Sequence, residues 1–181
     1  FWGNQSIFQL DEQTGRPINV AGVPPDYFSE DGQKWGNPLY NWHSQEPEKQ
    51  EALYTWWIKR FKEVFRLVDI ARVDHFRGFE SYFAIPDKDK NAVNGKWYKG
   101  PGKAFFARVF DSLGPLAIVA EDLGEITEDV HKLRQNLGFP GMKILQFAFD
   151  GNSDNSFLPF NYHDSHYFVY TGTHDNDTSI G

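Results

Sequence analysis

Apolar residues recur at helical spacing in three stretches of the chain, and this pattern predicts three helices. The first is the most regular, because its apolar residues fall on one face and Pro47 suits its first turn. Thr127 is a good N-cap for the third helix, and Gly138 closes it. The predicted helices run from about Glu46 to Val68, from Gly102 to Leu113 and from Thr127 to Leu137.

Short apolar runs outside these helices predict strands, and the Gly-, Pro- and Asn-rich stretches predict loops. A strand that begins at Val20 runs into the paired prolines after Val23, and the loop they start continues through Gly32–Pro38. The region Phe79–Trp97, with its Lys-, Asp- and Asn-rich centre, is also predicted as a loop. Further strands are predicted at 70–73, where the strand is expected to be buried, and at 116–120, 142–149 and 167–171.

Apolar strands that alternate with helices predict parallel strands joined by crossover helices, so the expected fold class is α/β. The length of 181 residues fits one domain, and no internal boundary is visible, so we predict a single domain over residues 1–181. The first residues resemble no signal peptide, and both ends look cut. We therefore expect a piece of a longer protein.

Composition narrows the classes of function. The chain has no cysteine, which excludes disulfides and thiolate metal sites and fits a cytoplasmic location. Its net charge is −7 with both signs mixed, so neither a basic stripe for nucleic acid nor an apolar run for a membrane is present. No Gly-rich phosphate loop precedes a helix, and we expect no cofactor. Aromatic residues reach 17%, and rings in loops can stack on sugars, although ordinary core packing explains any single ring equally well.

Three carboxylates follow the carboxyl ends of predicted strands: Asp74, Glu121 and Asp175. In a parallel α/β barrel those ends share the face where substrates bind. Arg72 lies two residues before Asp74, so both side chains point the same way and the cation keeps the carboxylate ionised. Glu121 leaves an apolar run, and such a setting raises the pKa of a carboxyl group that must first be protonated and later ionised.

This arrangement favours a retaining glycosyl mechanism, in which one carboxylate is the nucleophile and a second is the acid/base. His174 and Asn176, which flank Asp175, can hydrogen-bond sugar hydroxyls. The competing interpretations stay open at this point. Acidic residues at strand ends are often loop or helix caps, which is the default for Asp122 and Glu125, and Arg72 could form a purely structural ion pair. A metal hydrolase could be built from Asp74, His75, His174 and Asp175, although a lone His is more often a hydrogen-bonding residue, so no metal site is predicted.

Five segments resemble the amylomaltase or disproportionating-enzyme family, glycoside hydrolase family seventy-seven. They follow one another in the order expected for the family and span nearly the whole chain. They are VAGVPPDYFSEDGQKWGNPLY at 20–40, RVDHFRGFESYFAIP at 72–86, AEDLGEIT at 120–127, GMKILQFAF at 141–149 and GTHDNDT at 172–178.

The resemblance implies a 4-α-glucanotransferase that acts on α-1,4-glucans and malto-oligosaccharides. It implies part of a (β/α)8 barrel that lacks the early strands and the closing segment. It assigns the nucleophile to Asp74, the acid/base to Glu121 and the transition-state carboxylate to Asp175. Arg72 and His174 match partners of the donor sugar, and Asp122 and Asn176 are further candidates for sugar binding. A mobile loop over the acceptor subsites corresponds to Asp26, Tyr27, Phe28, Gln33 and Trp35.

Two alternatives to transfer remain. An α-glucan hydrolase of the amylase type would use the same glycosyl–enzyme intermediate, and the two differ in whether water or a sugar hydroxyl reaches it. A non-catalytic glucan-binding module would use the Trp and Tyr faces and would need none of the carboxylates.

Overall fold

The computed structural model of the chain describes residues 2–26, 29–124 and 126–180. These residues form two compact units: unit 1 comprises Phe1–Leu67 and Gly78–Pro115, and unit 2 comprises Val68–Arg77 and Leu116–Gly181. The prediction that residues 1–181 belong to a single catalytic domain stays a prediction. Within the described ranges, every helix is too short or too polar to span a bilayer.

The chain has mixed α/β structure. The strands are β1 (Asn19–Val23), β2 (Gln33–Pro38), β3 (Ala71–Val73), β4 (Ser81–Pro86), β5 (Lys96–Lys99), β6 (Ile118–Ala120), β7 (Gly141–Ile144) and β8 (Tyr167–Tyr170). The α-helices are α1 (Pro47–Phe65), α2 (Gly102–Leu113) and α3 (Glu128–Asn136). Within residues 2–26, 29–124 and 126–180, 3₁₀ helices span Trp2–Ile7, Phe76–Phe79, Leu145–Ala148 and Pro159–Asn161. The three predicted α-helices are confirmed, the second at both of its ends.

Unit 1 contains an antiparallel sheet in the order β2-β1-β4-β5. Two predicted loops were therefore wrong: Gly32–Pro38 contains β2, and Phe79–Trp97 contains β4 and the start of β5. Gly36 and Pro38 masked β2, because an edge strand tolerates residues that a central strand excludes. β4 is buried from Tyr82 to Ile85, and only the segment between β4 and β5 is a loop.

A close approach of backbones fixes the pairing of β1 with β2. A Cβ atom at Gly22 would lie 2.0 Å from the carbonyl oxygen of Gln33, so only glycine fits. The register of the two strands shifts between Val20 and Gly22, so their pairing is irregular there. The strand containing VAGV was thus predictable, but its partner β2 was not, because β2 shows no alternation of apolar and polar residues.

The rest of unit 1 is built on packed rings. α1 packs on α2, and the fully buried Phe105 lies at the centre of an aromatic cluster. Its ring centroid lies 5.3 Å from that of Trp42, 5.8 Å from Trp57 and 5.2 Å from Phe79. Such rings bury a large apolar area in favourable edge and offset geometries, so this cluster forms part of the core of unit 1.

Unit 2 is built from parallel strand pairs, as predicted for an α/β fold. β3 pairs with β6, and β7 pairs with β8. The Ala120 N–H donates to the Pro140 carbonyl (2.9 Å), and the Met142 N–H donates to the Asp122 carboxylate (2.8 Å). From the first of these bonds to the second, the residue on each segment lies two positions further along the chain. β6 and β7 therefore run in the same direction, and the carboxyl ends of all four strands share one edge.

Two strand predictions in unit 2 need correction. β7 ends at Ile144, and Leu145–Ala148 forms a 3₁₀ turn instead of continuing the predicted strand to Phe149. The Gln146 N–H donates to the Thr171 carbonyl just past β8, which draws the chain out of the strand direction. The strand at 70–73 exists, but it is not buried: Ile70 is 52% exposed, because apolar character alone does not tell which face is covered.

Candidate active site

Asp74 directly follows β3, at the shared edge of unit 2. Its carboxylate forms an ion pair with the guanidinium of Arg72, as the spacing of two residues in an extended strand predicts. The Asp74 side chain is 77% exposed, whereas that of Arg72 is 29% exposed. An exposed carboxylate held by a neighbouring cation is a chemically accessible nucleophile.

Glu121 directly follows β6, and the backbone fixes it beside Asp74. The Glu121 N–H donates to the Val73 carbonyl (3.0 Å), and the Phe76 N–H donates to the Glu121 carbonyl (3.1 Å). These two bonds extend the pairing of β3 with β6 past the end of both strands. Because Asp74 lies between Val73 and Phe76, the two carboxyl-bearing residues stand on adjacent chains.

Two main-chain donors hold the side chain of Glu121. The His75 N–H donates to Oε2 (2.8 Å), and the Leu123 N–H donates to Oε1 (2.8 Å). Burial raises the pKa of Glu121, and the negative charge of Asp74 adds to the rise. The two N–H donors and the Arg72 cation oppose it. The direction agrees with the prediction made from the apolar run before Glu121.

His75 has an unusual backbone. Among the described residues other than glycine, it has the one positive φ, at 47°. Burial lowers the pKa of its imidazole to about 4, with the Arg77 charge lowering it further and Asp74 opposing. In the sequence analysis His75 was a candidate only as a metal ligand. The hydrogen bond from its main-chain N–H to Glu121 was not predicted. In the described part of the chain, no three His, Asp or Glu side chains are grouped so that they could hold a metal ion.

Asp175 lies in a tight loop after β8. Asn176 Oδ1 accepts hydrogen bonds from the Thr173 N–H (2.8 Å) and hydroxyl (3.0 Å), so this predicted sugar-binding side chain shapes the loop. The His174 Nε2 lies 3.3 Å from an Asp175 carboxylate oxygen, and both side chains are about three-quarters exposed. Gln146 fixes the loop to the end of β7 by donating to the Asp177 carbonyl (2.9 Å).

The three predicted carboxylates thus leave one edge of unit 2. The structure brings Asp74 and Glu121 into electrostatic contact. Asp175 follows the last strand of the same parallel set. That all three close on one sugar ring stays a prediction.

Asp122 takes a different place from the one expected. Its side chain is buried, and it forms an ion pair with the buried Arg134 of α3 (3.1 Å) while accepting the hydrogen bond from the Met142 N–H. A Cβ atom at Gly141 would lie 2.5 Å from its Oδ2, so that glycine makes room for the carboxylate. These contacts make Asp122 an interior residue and give its predicted role in sugar binding no support. Arg134 was missed, because a lone Arg on a polar helix resembles a solvent-facing one.

The predicted acceptor loop lies in unit 1. Asp26 Oδ1 accepts a hydrogen bond from the Ser29 N–H (2.8 Å). The Trp35 Nε1 donates to Gln33 Oε1 (3.0 Å), and the Trp35 side chain is 45% exposed on β2. Tyr27 and Phe28 lie outside the described residues. An exposed ring whose N–H is held by a neighbour offers a flat face, and its role toward an acceptor stays a prediction.

Comparisons with known proteins match the whole chain. A family model described as 4-alpha-glucanotransferase matches residues 1–181. The chain is 54% identical over 181 residues to a 4-alpha-glucanotransferase of Synechocystis sp., covering 99% of this chain and 35% of that protein. It is 51% identical to a 4-alpha-glucanotransferase of Thermus thermophilus, with the same coverage.

A solved structure agrees with these matches. The amylomaltase from Streptococcus agalactiae in complex with acarbose superimposes with a TM-score of 0.85 at 42% sequence identity. The match covers 94% of this chain and 33% of that one. The chain therefore spans about a third of the length of the relatives it matches.

Proposed function

Because the chain belongs to the 4-alpha-glucanotransferase family, we propose that the whole protein transfers α-1,4-glucan segments to glucose or oligosaccharide acceptors. The observation that carries the proposal is the placement of Asp74 and Glu121 on adjacent parallel strands, one exposed and paired with Arg72, the other buried with a raised pKa. Those are the two environments that a retaining glycosyl transfer requires.

In the first half of the reaction, Asp74 attacks the anomeric carbon of the donor. The bond from that carbon to the glycosidic oxygen breaks, and the proton of Glu121 goes to the departing oxygen. A covalent glycosyl–enzyme ester results. In the second half, Glu121 takes the proton of an acceptor hydroxyl, whose oxygen displaces Asp74 and restores the original configuration.

Three further residues are proposed to assist the reaction: Asp175, His174 and Arg72. Asp175 binds ring hydroxyls more tightly as the ring flattens toward an oxocarbenium ion, which lowers the barrier rather than only the dissociation constant. His174 orients the Asp175 carboxylate, supported by the distance of 3.3 Å between His174 Nε2 and a carboxylate oxygen of Asp175. Arg72 keeps Asp74 ionised before attack, supported by their direct contact. No cofactor takes part in the proposal.

The preference for transfer over hydrolysis is assigned to the loop with Asp26, Tyr27, Phe28, Gln33 and Trp35. The glycosyl–enzyme intermediate gives transfer only if water is kept away while an acceptor is bound. An aromatic face stacks on the C–H face of an acceptor sugar, and the 45% exposure of Trp35 is consistent with such a contact.

The parallel strands of unit 2 are proposed to be part of a (β/α)8 barrel. The support is the likeness to the Streptococcus agalactiae amylomaltase and the common direction of the four strands. The proposed partners are α-1,4-glucans and malto-oligosaccharides, and the proposed location is the cytoplasm. Neither nucleic acid nor a membrane is a proposed partner.

Incubation of the full-length enzyme with maltotriose tests the proposal. Transfer predicts glucose together with maltopentaose and longer chains, resolved by chromatography as a function of time. Breakdown to glucose and maltose without longer products would establish the amylase-type hydrolase instead. Binding of maltotriose without any turnover would favour the non-catalytic glucan-binding module.

A further inference from the structure

The acid/base residue of the proposed reaction is held by a neighbour of the nucleophile. His75 directly follows Asp74, and its N–H donates to Glu121 Oε2 (2.8 Å), while the Leu123 N–H donates to Oε1 (2.8 Å). Each carboxyl oxygen therefore has one main-chain donor. The position of the His75 N–H follows from its left-handed backbone, with φ at 47°, which turns the chain back toward Glu121 after β3 ends.

The left-handed conformation is not one that a histidine adopts by default. A Cβ atom is disfavoured there, and only glycine adopts this region at no steric cost. Strained backbone of this kind persists where the surrounding structure determines it and is concentrated at functional sites. Here the backbone bonds on both sides of the turn, from Glu121 to Val73 and from Phe76 to Glu121, hold the conformation.

We infer that His75 is a positioning residue for the acid/base step and that it acts through its main-chain N–H, not through its imidazole. This inference rests on the proposed function, because it assigns His75 a task within the glycosyl transfer. The N–H aims Glu121 at the glycosidic oxygen and stabilises the negative charge that forms on Glu121 as its proton leaves.

The chemistry explains why a donor at this place changes the rate. When the glycosidic bond breaks, Glu121 passes from carboxylic acid to carboxylate, and hydrogen bonds to an ionised acceptor are stronger than those to a neutral one. The bond from His75 therefore strengthens as the reaction proceeds, which lowers the barrier. In the second half of the reaction, the hydrogen bond from the His75 N–H to Glu121 weakens again as Glu121 takes a proton from the acceptor hydroxyl.

The effect of the His75 main chain on Glu121 can be separated from that of the His75 imidazole, because the imidazole carries no charge at neutral pH. The groups that act on Glu121 electrostatically are Asp74 and Arg72, both contributed by the β3 segment. The imidazole is buried, and its pKa of about 4 leaves it neutral at neutral pH. Removing the imidazole thus removes no charge at neutral pH.

Two variants of the full-length enzyme isolate the backbone: His75→Gly and His75→Val. Both lack the imidazole, but glycine keeps the left-handed conformation freely, whereas a β-branched residue strongly disfavours it. The measurement is kcat/KM for maltotriose from pH 4 to 9, with the melting temperature as a check of folding. Activity requires protonated Glu121 in the first half, so it falls as pH rises through the pKa of Glu121. Loss of a donor raises that pKa and moves the alkaline limb to higher pH.

We expect His75→Gly to keep the alkaline limb of the wild type. His75→Val is expected to move it upward by about one pH unit and to lower the plateau of kcat/KM by about tenfold, the effect of one hydrogen bond to a charged group. If His75→Val does not fold, His75→Ala takes its place with the same direction of change. Equal shifts in the glycine and valine variants would assign the effect to the imidazole and overturn the inference.

An unchanged alkaline limb in every folded variant would also overturn it. These outcomes are distinct from failure of the proposed function, which shows as a wild-type enzyme that makes no longer oligosaccharides from maltotriose. An active wild type with an immobile limb rejects only the role of His75.

Discussion

In unit 1 the largest side chains meet in a cluster of rings around Phe105, while in unit 2 charged side chains gather at the ends of short strands. The contrast extends to ion pairs. Unit 1 has the pair of Arg108 with Glu51, in which both side chains are half-exposed or more, whereas unit 2 buries Arg134 and Asp122 almost completely. Unit 1 thus keeps this pair at its surface, whereas unit 2 buries an ion pair beside the apolar contacts of Val119, Met142 and Ile144.

The comparison shows where chemistry can be placed. The rings of Phe105, Trp42, Trp57 and Phe79 carry no group that titrates, so they can support loops but cannot take part in proton transfer. Buried carboxylates are costly, and they persist where partners satisfy them, as Met142 and Arg134 do for Asp122. Burial raises the pKa of Glu121 although two N–H donors and the charge of Arg72 oppose the rise, and a raised pKa suits an acid/base residue.

The largest expected effect is that of Asp74→Asn in the full-length enzyme. An amide is no nucleophile, so we expect kcat for maltotriose to fall on the order of 10⁴-fold. Binding of maltotriose, measured by calorimetry, is expected to persist, and the melting temperature to change little, because Asp74 is 77% exposed. Asp111→Asn, an exposed aspartate of α2 in unit 1, is the matched control. Full activity in Asp74→Asn would show that Asp74 is not the nucleophile.

A second prediction compares the two ion pairs. Asp122→Ala leaves Arg134 buried without its partner, so we expect the free energy of unfolding to fall by about 3–5 kcal/mol. Glu51→Ala removes an exposed partner of Arg108, and its expected cost is below about 1 kcal/mol. Chemical denaturation of both variants in the full-length enzyme checks the difference. KM for maltotriose should stay unchanged in Asp122→Ala. A raised KM without loss of stability would restore the predicted contact of Asp122 with sugar.

Much of unit 2 could be predicted because its signals are local. The apolar runs before Asp74 and Glu121 predicted strands that end there, and the two-residue spacing of Arg72 and Asp74 predicted their contact. The raised pKa of Glu121 followed from the same apolar run. Each of these features depends on residues that are adjacent in sequence or on a strand whose end is marked by a polar residue.

The unrecognised features depend on distant partners. β2 becomes a strand because β1 pairs with it across Gly22, and no alternation within Gln33–Pro38 announces this. Asp122 turns inward because Arg134, twelve residues later, lies at the same place in space. The left-handed His75 is held by the pairing of β3 with β6, whose residues are more than forty positions apart. Tertiary contact decides such positions, and residue type at one position does not reveal it.

The smallest expected effect concerns the one part of unit 1 to which we assign a functional role. Trp35→Ala removes an exposed ring, and we expect the ratio of transfer to hydrolysis with maltotriose to fall about three- to tenfold, the contribution of one aromatic contact. Trp97→Ala is the matched control, because Trp97 on β5 of the same sheet is 40% exposed and has no assigned role. Comparing released glucose with elongated products gives the ratio directly. An equal fall in both variants would mean that the sheet, rather than the face of Trp35, governs the access of water, and unit 1 would then serve the chemistry only through its stability.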